Sequence, residues 1–497
     1  MVQIGKHVTI GALWMVGMRL IDRGIGLVSM FVLARLLSPD DFGVVAMAMT
    51  VFGVIEIGGQ FGFDIALIRN RQASRAHYDS AWSMSVGYGV FTAIALAALA
   101  IPAAIFFNEP RLQSIMLALA AIALVQGFEN IGVIDFRKNF RFGDDFQLMF
   151  WKKISSFVVG LSFAYLLNTY WALVLGIAAS RITGVFLSYA LHSYRPRFDL
   201  SEARGLLVFS RWILLKGIID YAIDRGPDFI IGRFLGANAL GLYRVARDIS
   251  TLPTTELMFP IMRAVFPGYA AVAHDRQMLA NSFMMVQGSI LMITLPAGVG
   301  MVMLADPIVK LLLGPKWIPA VPLIQVLGLY GILTIFQATN TSVFNVLGKP
   351  HWGAALKAAE VLFLLPAMFT LYALGYQLVE IAWAIVGAQV LVIPAGILMT
   401  RQLLKVGFRD RLAVAWRPVI ASAIMALILA WQFMQTDLEV SAASASWLLF
   451  KAIPTGMIVF ASTILLLWTI AGAPDGPERH LLAMVKGWFP RGLSRRV

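Results

Sequence analysis

The chain has 497 residues, of which 59% are hydrophobic and only 13% are charged, and its mean hydropathy is +0.78. A soluble domain carries about twice that charged fraction, so the composition indicates a polytopic membrane protein and excludes an ordinary soluble one. The formal net charge of +13 does not point to nucleic acid, because the positive residues lie in alternate loops rather than on one soluble surface.

Runs of mostly apolar residues, each long enough to cross a bilayer, predict an all-α protein with about fourteen transmembrane helices. The first run contains Arg19, Asp22 and Arg23 and continues past Leu27, so we interpret it as a span and not as a cleavable signal peptide. The predicted spans are 9–33, 42–66, 81–106, 112–134, 148–167, 171–191, 206–232, 239–270, 281–304, 320–346, 353–373, 379–399, 416–434 and 447–470.

Most Lys and Arg residues fall in loops that lie on one side of these spans, and the positive-inside rule makes that side cytoplasmic. The few in the opposite loops are Arg35, Arg111, Arg233, Lys310 and Lys316. An even number of spans then predicts that both termini are cytoplasmic. The basic tail 473–497 agrees, and its segment 481–489 is either a short interfacial helix on anionic lipid or a solvated tail.

A polar stripe crosses the seventh predicted span. At 100° per residue, Lys216, Asp220, Asp224 and Asp228 lie along one side of a helix, and Arg225 borders them. One charge at the centre of a bilayer costs roughly 3 kcal/mol even on the most lenient scale, so these side chains must line water or contact one another.

Two sequence blocks recur in the chain. The tetrapeptide Ile-Asp-Arg-Gly begins at Ile21 and again at Ile223, 202 positions later. Each copy is followed by a related block: Ala-Arg-Leu-Leu-Ser-Pro-Asp-Asp-Phe-Gly at 34–43 and Gly-Arg-Phe-Leu-Gly-Ala-Asn-Ala-Leu-Gly-Leu-Tyr at 232–243. We interpret this as a duplicated bundle with a lobe at 1–200, a second lobe at 201–405 and two added spans within 406–472.

Charged residues within the spans are the candidate site residues. Arginine and lysine suit an anionic substrate, and carboxylates suit a coupling proton or Na⁺. The candidate substrate-binding residues are Arg19, Arg23, Arg181, Lys216, Arg225, Arg244 and Arg247. The candidate ion-coupling residues are Asp22, Glu56, Asp220, Asp224, Asp228 and Asp248. The alternative is that neighbouring opposite charges neutralise one another, and that Lys152 and Lys153 extend to the inner surface.

No motif predicts an enzyme. The phosphate-binding pattern GxxxxGK[ST] does not occur, the six histidines have no metal-ligand spacing, and there is no GxSxG sequence. Zero cysteines exclude disulfides and thiolate metal sites. We therefore expect no catalytic residue, no metal and no cofactor.

With these spans, the duplication and the two blocks at 34–43 and 232–243, the chain resembles the polysaccharide transporters of the multidrug/oligosaccharidyl-lipid/polysaccharide exporter superfamily, the Wzx-like flippases. The resemblance implies two six-helix lobes around a central cavity, in a bacterial inner membrane. It also implies that a polyprenyl-diphosphate-linked oligosaccharide moves from the cytoplasmic to the periplasmic leaflet, for exopolysaccharide, capsule or lipopolysaccharide assembly. A polysaccharide polymerase and export machinery are the implied partners, together with membrane lipid.

Other functions are open at this stage. A cation-coupled drug or metabolite antiporter of the same superfamily would favour a site rich in carboxylates, and a lipid II flippase would use similar chemistry. A membrane glycan polymerase would need a large outer loop with catalytic residues, and the predicted loops are short. A structural scaffold gives no reason for charges inside the membrane.

Overall fold

The computed structural model describes residues 2–59, 67–68, 70, 72–203, 211–435 and 442–480. Within them the chain is helical and contains no strand. The helices are α1 Val2–Leu36, α2 Pro39–Gly59, α3 Arg75–Phe107, α4 Arg111–Gly127, α5 Ile134–Lys138, α6 Phe142–Leu167, α7 Trp171–Leu191, α8 Arg211–Val272, α9 Arg276–Met303, α10 Ala305–Leu312, α11 Val321–Val346, α12 Pro350–Ala373, α13 Leu378–Leu404, α14 Phe408–Met434 and α15 Ala442–Ile470.

The apolar helices make the chain a multi-pass membrane protein, which confirms the predicted all-α membrane class. Ten helices of the described part are long and apolar enough to span a membrane, and a bent pair, Arg111–Gly127 with Ile131–Lys138, would be an eleventh. Helices α1 and α8 are not among the ten, since they carry the intramembrane charges. Each of the fourteen predicted segments overlaps a helix, but the number fourteen stays a prediction. The predicted interfacial helix at 481–489 lies outside the described residues.

Helix α8 contains the eighth predicted span and the seventh from Arg211 onward, and residues 206–210 of the seventh lie outside the described residues. Its one residue with non-helical dihedrals is Gly236, with φ 83° and ψ −179°. That conformation is open to glycine and costly for other residues. The break between the two predicted spans is therefore one glycine within the second repeated block.

The chain divides into two compact units, Met1–Arg244 and Val245–Val497, here called unit 1 and unit 2. Unit 1 contains α1 to α7 and the first part of α8, and unit 2 contains the remainder. The lobes predicted at 1–200 and 201–405, the added spans and the tail stay predictions.

Helix pairs in unit 1 approach closely at glycines. A Cβ atom built on Gly89 of α3 would lie 2.9 Å from the Cα atom of Gly127 at the end of α4. Beyond Gly127 the chain turns by 67° into the short helices that follow. The bend places Glu129 and Asn130 between two helices, so their polar groups face the interior of the unit.

The two repeated blocks contact each other within unit 1. A Cβ atom built on Gly43 would lie 1.7 Å from the carbonyl oxygen of Ala237, and one built on Gly241 would lie 1.7 Å from that of Pro39. Gly241 follows Gly43 by 198 positions, and Ala237 follows Pro39 by the same number. The contact is thus reciprocal, as expected for two copies of one element related by a two-fold axis.

The acidic residues of the first block fix this contact region. Asp41 accepts a hydrogen bond from the backbone N–H of Ser38 at 3.0 Å and another from that of Tyr170 at 2.9 Å. Asp40 accepts one from Arg111 at 2.6 Å. Arg111 also donates to Glu109 and lowers the pKa of that carboxyl through this hydrogen bond. These bonds hold the start of α2 against the neighbouring helix ends.

In unit 2 the core lies where α9, α11 and α14 meet. Leu291 and Ile335 are fully buried there. A polar cluster lies among the same helices and α13: Arg411 donates to Asn340 at 3.1 Å, and Thr400 donates to the same amide oxygen at 3.1 Å. Arg417 of α14 lies 3.1 Å from Glu478, which ties the residues after α15 to this helix.

The segment that follows α7 is fastened to unit 1 by one buried carboxylate. Asp79 of α3 accepts hydrogen bonds from the hydroxyl of Tyr194 at 2.6 Å and from the backbone N–H of Arg197 at 2.7 Å. Asn130 donates to the carbonyl of Tyr194 at 2.7 Å. The segment between the two predicted lobes is therefore held in a defined path.

We expect Asp79→Asn to release this segment. The neutral amide has the shape of the carboxylate, but it cannot form charge-assisted hydrogen bonds. Their loss weakens the attachment of the segment by about 1–3 kcal/mol. Trypsin should then cleave after Arg197, which precedes Phe198, faster than in the wild type. A matched control is Asp199→Asn, because among the described residues the side chain of Asp199 accepts hydrogen bonds only from neighbouring Ser201. Equal cleavage rates for Asp79→Asn and the control would contradict the expectation.

Candidate functional site

Unit 1 contains an open cavity with charged side chains in its wall. It consists of two voids of about 600 and 660 Å³, which share Glu129, Val133, Ile134, Arg137 and Arg181 as lining residues. We call the two voids together the unit-1 cavity. Its walls come from all of the first seven helices and from the bend after α4. Sequence analysis predicts a cavity between two lobes, whereas this one is formed by unit 1 alone.

Three ion pairs lie along the cavity wall. Lys152 of α6 is 3.0 Å from Glu129, and Lys153 is 3.2 Å from Asp22 of α1. Arg137 of α5 is 3.2 Å from Asp145 at the start of α6. Each pair joins side chains from different helices or from the bend, so the charges hold the walls together as well as facing the void.

Arg181 and Glu56 are the charged lining residues outside these pairs. Arg181 of α7 faces both voids, and Glu56 of α2 faces one. In the described part of the chain, no side chain of opposite charge lies within 4.0 Å of either one. Arg181 is thus a cation available to an anion in the cavity, and Glu56 is a carboxylate available to a proton or cation.

Glycines make room for the two lysines. A Cβ atom built on Gly184 would lie 2.8 Å from Cε and 2.9 Å from Nζ of Lys152. One built on Gly26 would lie 3.4 Å from Nζ of Lys153. Lys152 therefore crosses α7 at Gly184 to reach Glu129. Their ammonium groups are held in ion pairs at the cavity wall, and the expectation that these lysines extend to the inner surface stays a prediction.

A second charged cluster of unit 1 surrounds Asp228, which is fully buried. Its carboxylate is 3.3 Å from Arg225, 3.5 Å from Arg244 and 3.1 Å from the hydroxyl of Thr50. The backbone carbonyl of Thr50 accepts a hydrogen bond from Tyr221. Three predicted site residues are thus brought together, and they contact one another.

The other predicted residues are spread over the helices. On α1, Arg19 is half-buried and Arg23 is exposed; on α8, Asp220 is half-buried and Asp224 is exposed. Arg247 and Asp248 lie in unit 2. Lys216 lies on α8, and its side chain is outside the described part. Their roles stay predictions.

Sequence reasoning did not assign Glu129, Lys152, Lys153 or Arg137 to a site. The signal available was their charge within or beside apolar runs. It did not show which side chains form ion pairs, since Lys152 follows Glu129 by 23 positions and Lys153 follows Asp22 by 131. Only the bend after α4 and the packing of α1 on α6 bring these side chains together.

Known proteins resemble the chain over most of its length. Residues 32–322 match the family described as "Polysaccharide biosynthesis protein". Succinoglycan biosynthesis transport protein ExoT of Rhizobium meliloti is 26% identical, over 98% of this chain and 97% of its own length. Lipopolysaccharide biosynthesis protein WzxC of Escherichia coli is 25% identical, over 65% of this chain and 66% of its own, just under two thirds.

Solved structures show the same fold. The lipid II flippase MurJ in an inward closed conformation superposes with a TM-score of 0.75 at 12% identity, covering 93% of this chain and 99% of that one. An inward-facing multidrug resistance transporter of the MATE family superposes with a TM-score of 0.58 at 19% identity, covering 77% of this chain and 94% of its own. At these identities the likeness concerns the fold alone.

Proposed function

Because the chain belongs to the polysaccharide biosynthesis protein family, as the match over residues 32–322 shows, we propose that it flips a polyprenyl-diphosphate-linked oligosaccharide. The lipid-linked repeat unit moves from the cytoplasmic to the periplasmic leaflet. The predicted resemblance to Wzx-like flippases is confirmed by this match and by ExoT and WzxC. The proposed product is an exopolysaccharide, a capsule or a lipopolysaccharide.

The unit-1 cavity is the observation that carries the proposal. A diphosphate needs a cation, and an arginine provides a planar fork of donors for phosphate oxygens. Arg181 provides that group, and it has no carboxylate partner among the described residues. The polyprenyl tail remains in the bilayer while the charged head group crosses.

The position of the cavity supports the proposed direction of transport. Asn130 lines it and also holds the segment after α7, which the positive-inside rule places in the cytoplasm. The head group therefore enters from the cytoplasmic leaflet. The contact at Gly43 and Gly241 lies at predicted outer loops and supports a closed outer end, which alternating access would require in this state.

The remaining predictions belong to the same proposal. Both termini are cytoplasmic, the membrane is the bacterial inner membrane, and a polymerase with its export machinery takes the flipped unit. Arg225, Arg244 and Asp228 form a paired cluster, so in the state described they stabilise unit 1. Contact of the arginines with substrate requires a rearrangement of that cluster.

One observation favours a second function. Glu56 faces the cavity without a cation partner among the described residues, and a free carboxylate suits a cationic drug. The rival is therefore a cation-coupled antiporter of the same superfamily. A lipid II flippase is also compatible with the fold.

Proteoliposomes distinguish these functions. We expect purified protein to move a fluorescent polyprenyl-diphosphate oligosaccharide between leaflets, and not to move a cationic dye along a proton or Na⁺ gradient. Transport of the dye without the lipid would favour the antiporter. Equal transport of lipid II and of longer oligosaccharides would favour a flippase of broad specificity.

A further inference from the structure

The pair of Lys152 and Glu129 has the geometry of an exchangeable contact. Nζ of Lys152 lies 3.0 and 3.3 Å from the two carboxylate oxygens. The side chains are 22% and 24% exposed, so the pair is reachable from the cavity. By contrast, the carboxylate of Asp228 is fully buried, although its partners Arg225 and Arg244 are 28% and 18% exposed. An incoming anion can therefore bind the ammonium group of Lys152 without any separation of the packed helices.

Other charged or titratable groups line the same cavity as Glu129. They are Asp22 of α1, Glu56 of α2, Tyr88 of α3, Arg137 of α5, Asp145, Lys152 and Lys153 of α6, and Arg181 of α7. Arg137 is engaged by Asp145, and no carboxylate among the described residues engages Arg181. A diphosphate bound at Arg181 brings a second negative group beside Glu129 and Lys152. Two anions then compete for one lysine.

We propose that Lys152 is shared between Glu129 and the substrate diphosphate, and that Glu129 takes up one proton when the diphosphate takes the lysine. This rests on the proposed function. Loss of its cation and the arrival of a like charge both favour the neutral form of a carboxyl group. The step balances: the ammonium group moves from carboxylate to phosphate oxygen, and a proton from the aqueous phase forms the O–H bond on Glu129. No bond of the substrate breaks.

The consequence is a coupling between cargo and proton at one site. Release of the diphosphate on the far side returns Lys152 to Glu129, which then loses its proton. Gly184 is a positioning residue for this exchange, because a side chain there would collide with Cε and Nζ of Lys152. Neither Glu129 nor Lys152 needs to leave the cavity wall.

The test measures proton uptake when a short-chain polyprenyl-diphosphate oligosaccharide binds to detergent-solubilised protein in weak buffer with a pH indicator. The wild type is expected to take up close to one proton for each molecule bound. Glu129→Gln should bind at least as tightly and take up none, since its Lys152 is no longer held by a carboxylate. Glu129→Asp retains a carboxyl group and tests whether the position tolerates a substitution. This variant should retain the proton uptake of the wild type.

Asp306→Asn is the matched control. Asp306 forms a lysine pair of similar length with Lys310, 2.9 Å, in unit 2, so proton uptake should equal that of the wild type. Normal binding with no uptake by the wild type, or with the same uptake by Glu129→Gln, overturns the sharing of Lys152 and leaves the flippase proposal standing. Absence of binding to the wild type overturns both.

Discussion

Arg181→Ala is expected to weaken binding of the diphosphate head group by roughly 10- to 150-fold, the equivalent of about 1.5–3 kcal/mol for a lost charge-assisted hydrogen bond. Arg181 faces both voids of the unit-1 cavity and has no carboxylate partner among the described residues. Its removal therefore takes away attraction for the anion without leaving a carboxylate unpaired. The measurement is the Kd of a short-chain polyprenyl-diphosphate oligosaccharide by titration calorimetry.

Two further variants separate charge from shape. Arg181→Lys keeps the charge but loses the planar fork, so its Kd should lie between those of the wild type and Arg181→Ala. Arg401→Ala, an exposed position at the end of α13, should bind like the wild type. If Arg181→Ala binds as tightly as the Arg401 variant, the arginine does not contact the head group.

Gly43→Ala and Gly241→Ala should each destabilise unit 1 strongly. The added methyl group would lie 1.7 Å from a backbone carbonyl oxygen, so the helix ends must separate. Overpacking of this kind costs about 1–3 kcal/mol and sometimes more. The expected result is a Tm in detergent lower by several degrees, on the order of 2–4 °C for each kcal/mol in a unit of this size.

Gly87→Ala is the matched control, because a Cβ atom there meets nothing within 4 Å. It lies inside α3, where alanine favours helix by about 1 kcal/mol, so the Tm should stay or rise. The Tm of the double variant Gly43→Ala/Gly241→Ala should fall by less than the sum of the two single decreases, since both substitutions act on one contact. Full additivity, or an unchanged Tm for the single variants, would contradict the reciprocal contact.

The sequence predicted the helices well, because long apolar runs have few alternatives in a membrane. It also placed the break within 211–272 between the seventh and eighth spans, and the structure locates it at Gly236. The duplication of 34–43 at 232–243 was visible in the sequence. That the copies contact each other was not, because contact depends on how the helix ends pack.

The lining of the unit-1 cavity includes some of the predicted candidates, and their roles stay predictions. Arg181, Glu56 and Asp22 were candidates from their charge alone, and all three line the unit-1 cavity. The sequence could not show which of them form ion pairs. Asp22 is paired with Lys153, 131 positions later, whereas Arg181 has no ion-pair partner in the described part. Pairing of distant charges is decided by tertiary packing.

The most direct test of the account is leaflet translocation of a labelled polyprenyl-diphosphate oligosaccharide in proteoliposomes that contain equal amounts of folded wild type, Arg181→Ala or Arg401→Ala. We expect rapid translocation by the wild type and by Arg401→Ala, and a rate for Arg181→Ala close to that of empty liposomes. Translocation by Arg181→Ala at the wild-type rate would contradict the unit-1 cavity as the path of the diphosphate. No translocation by the wild type would contradict the flippase function itself.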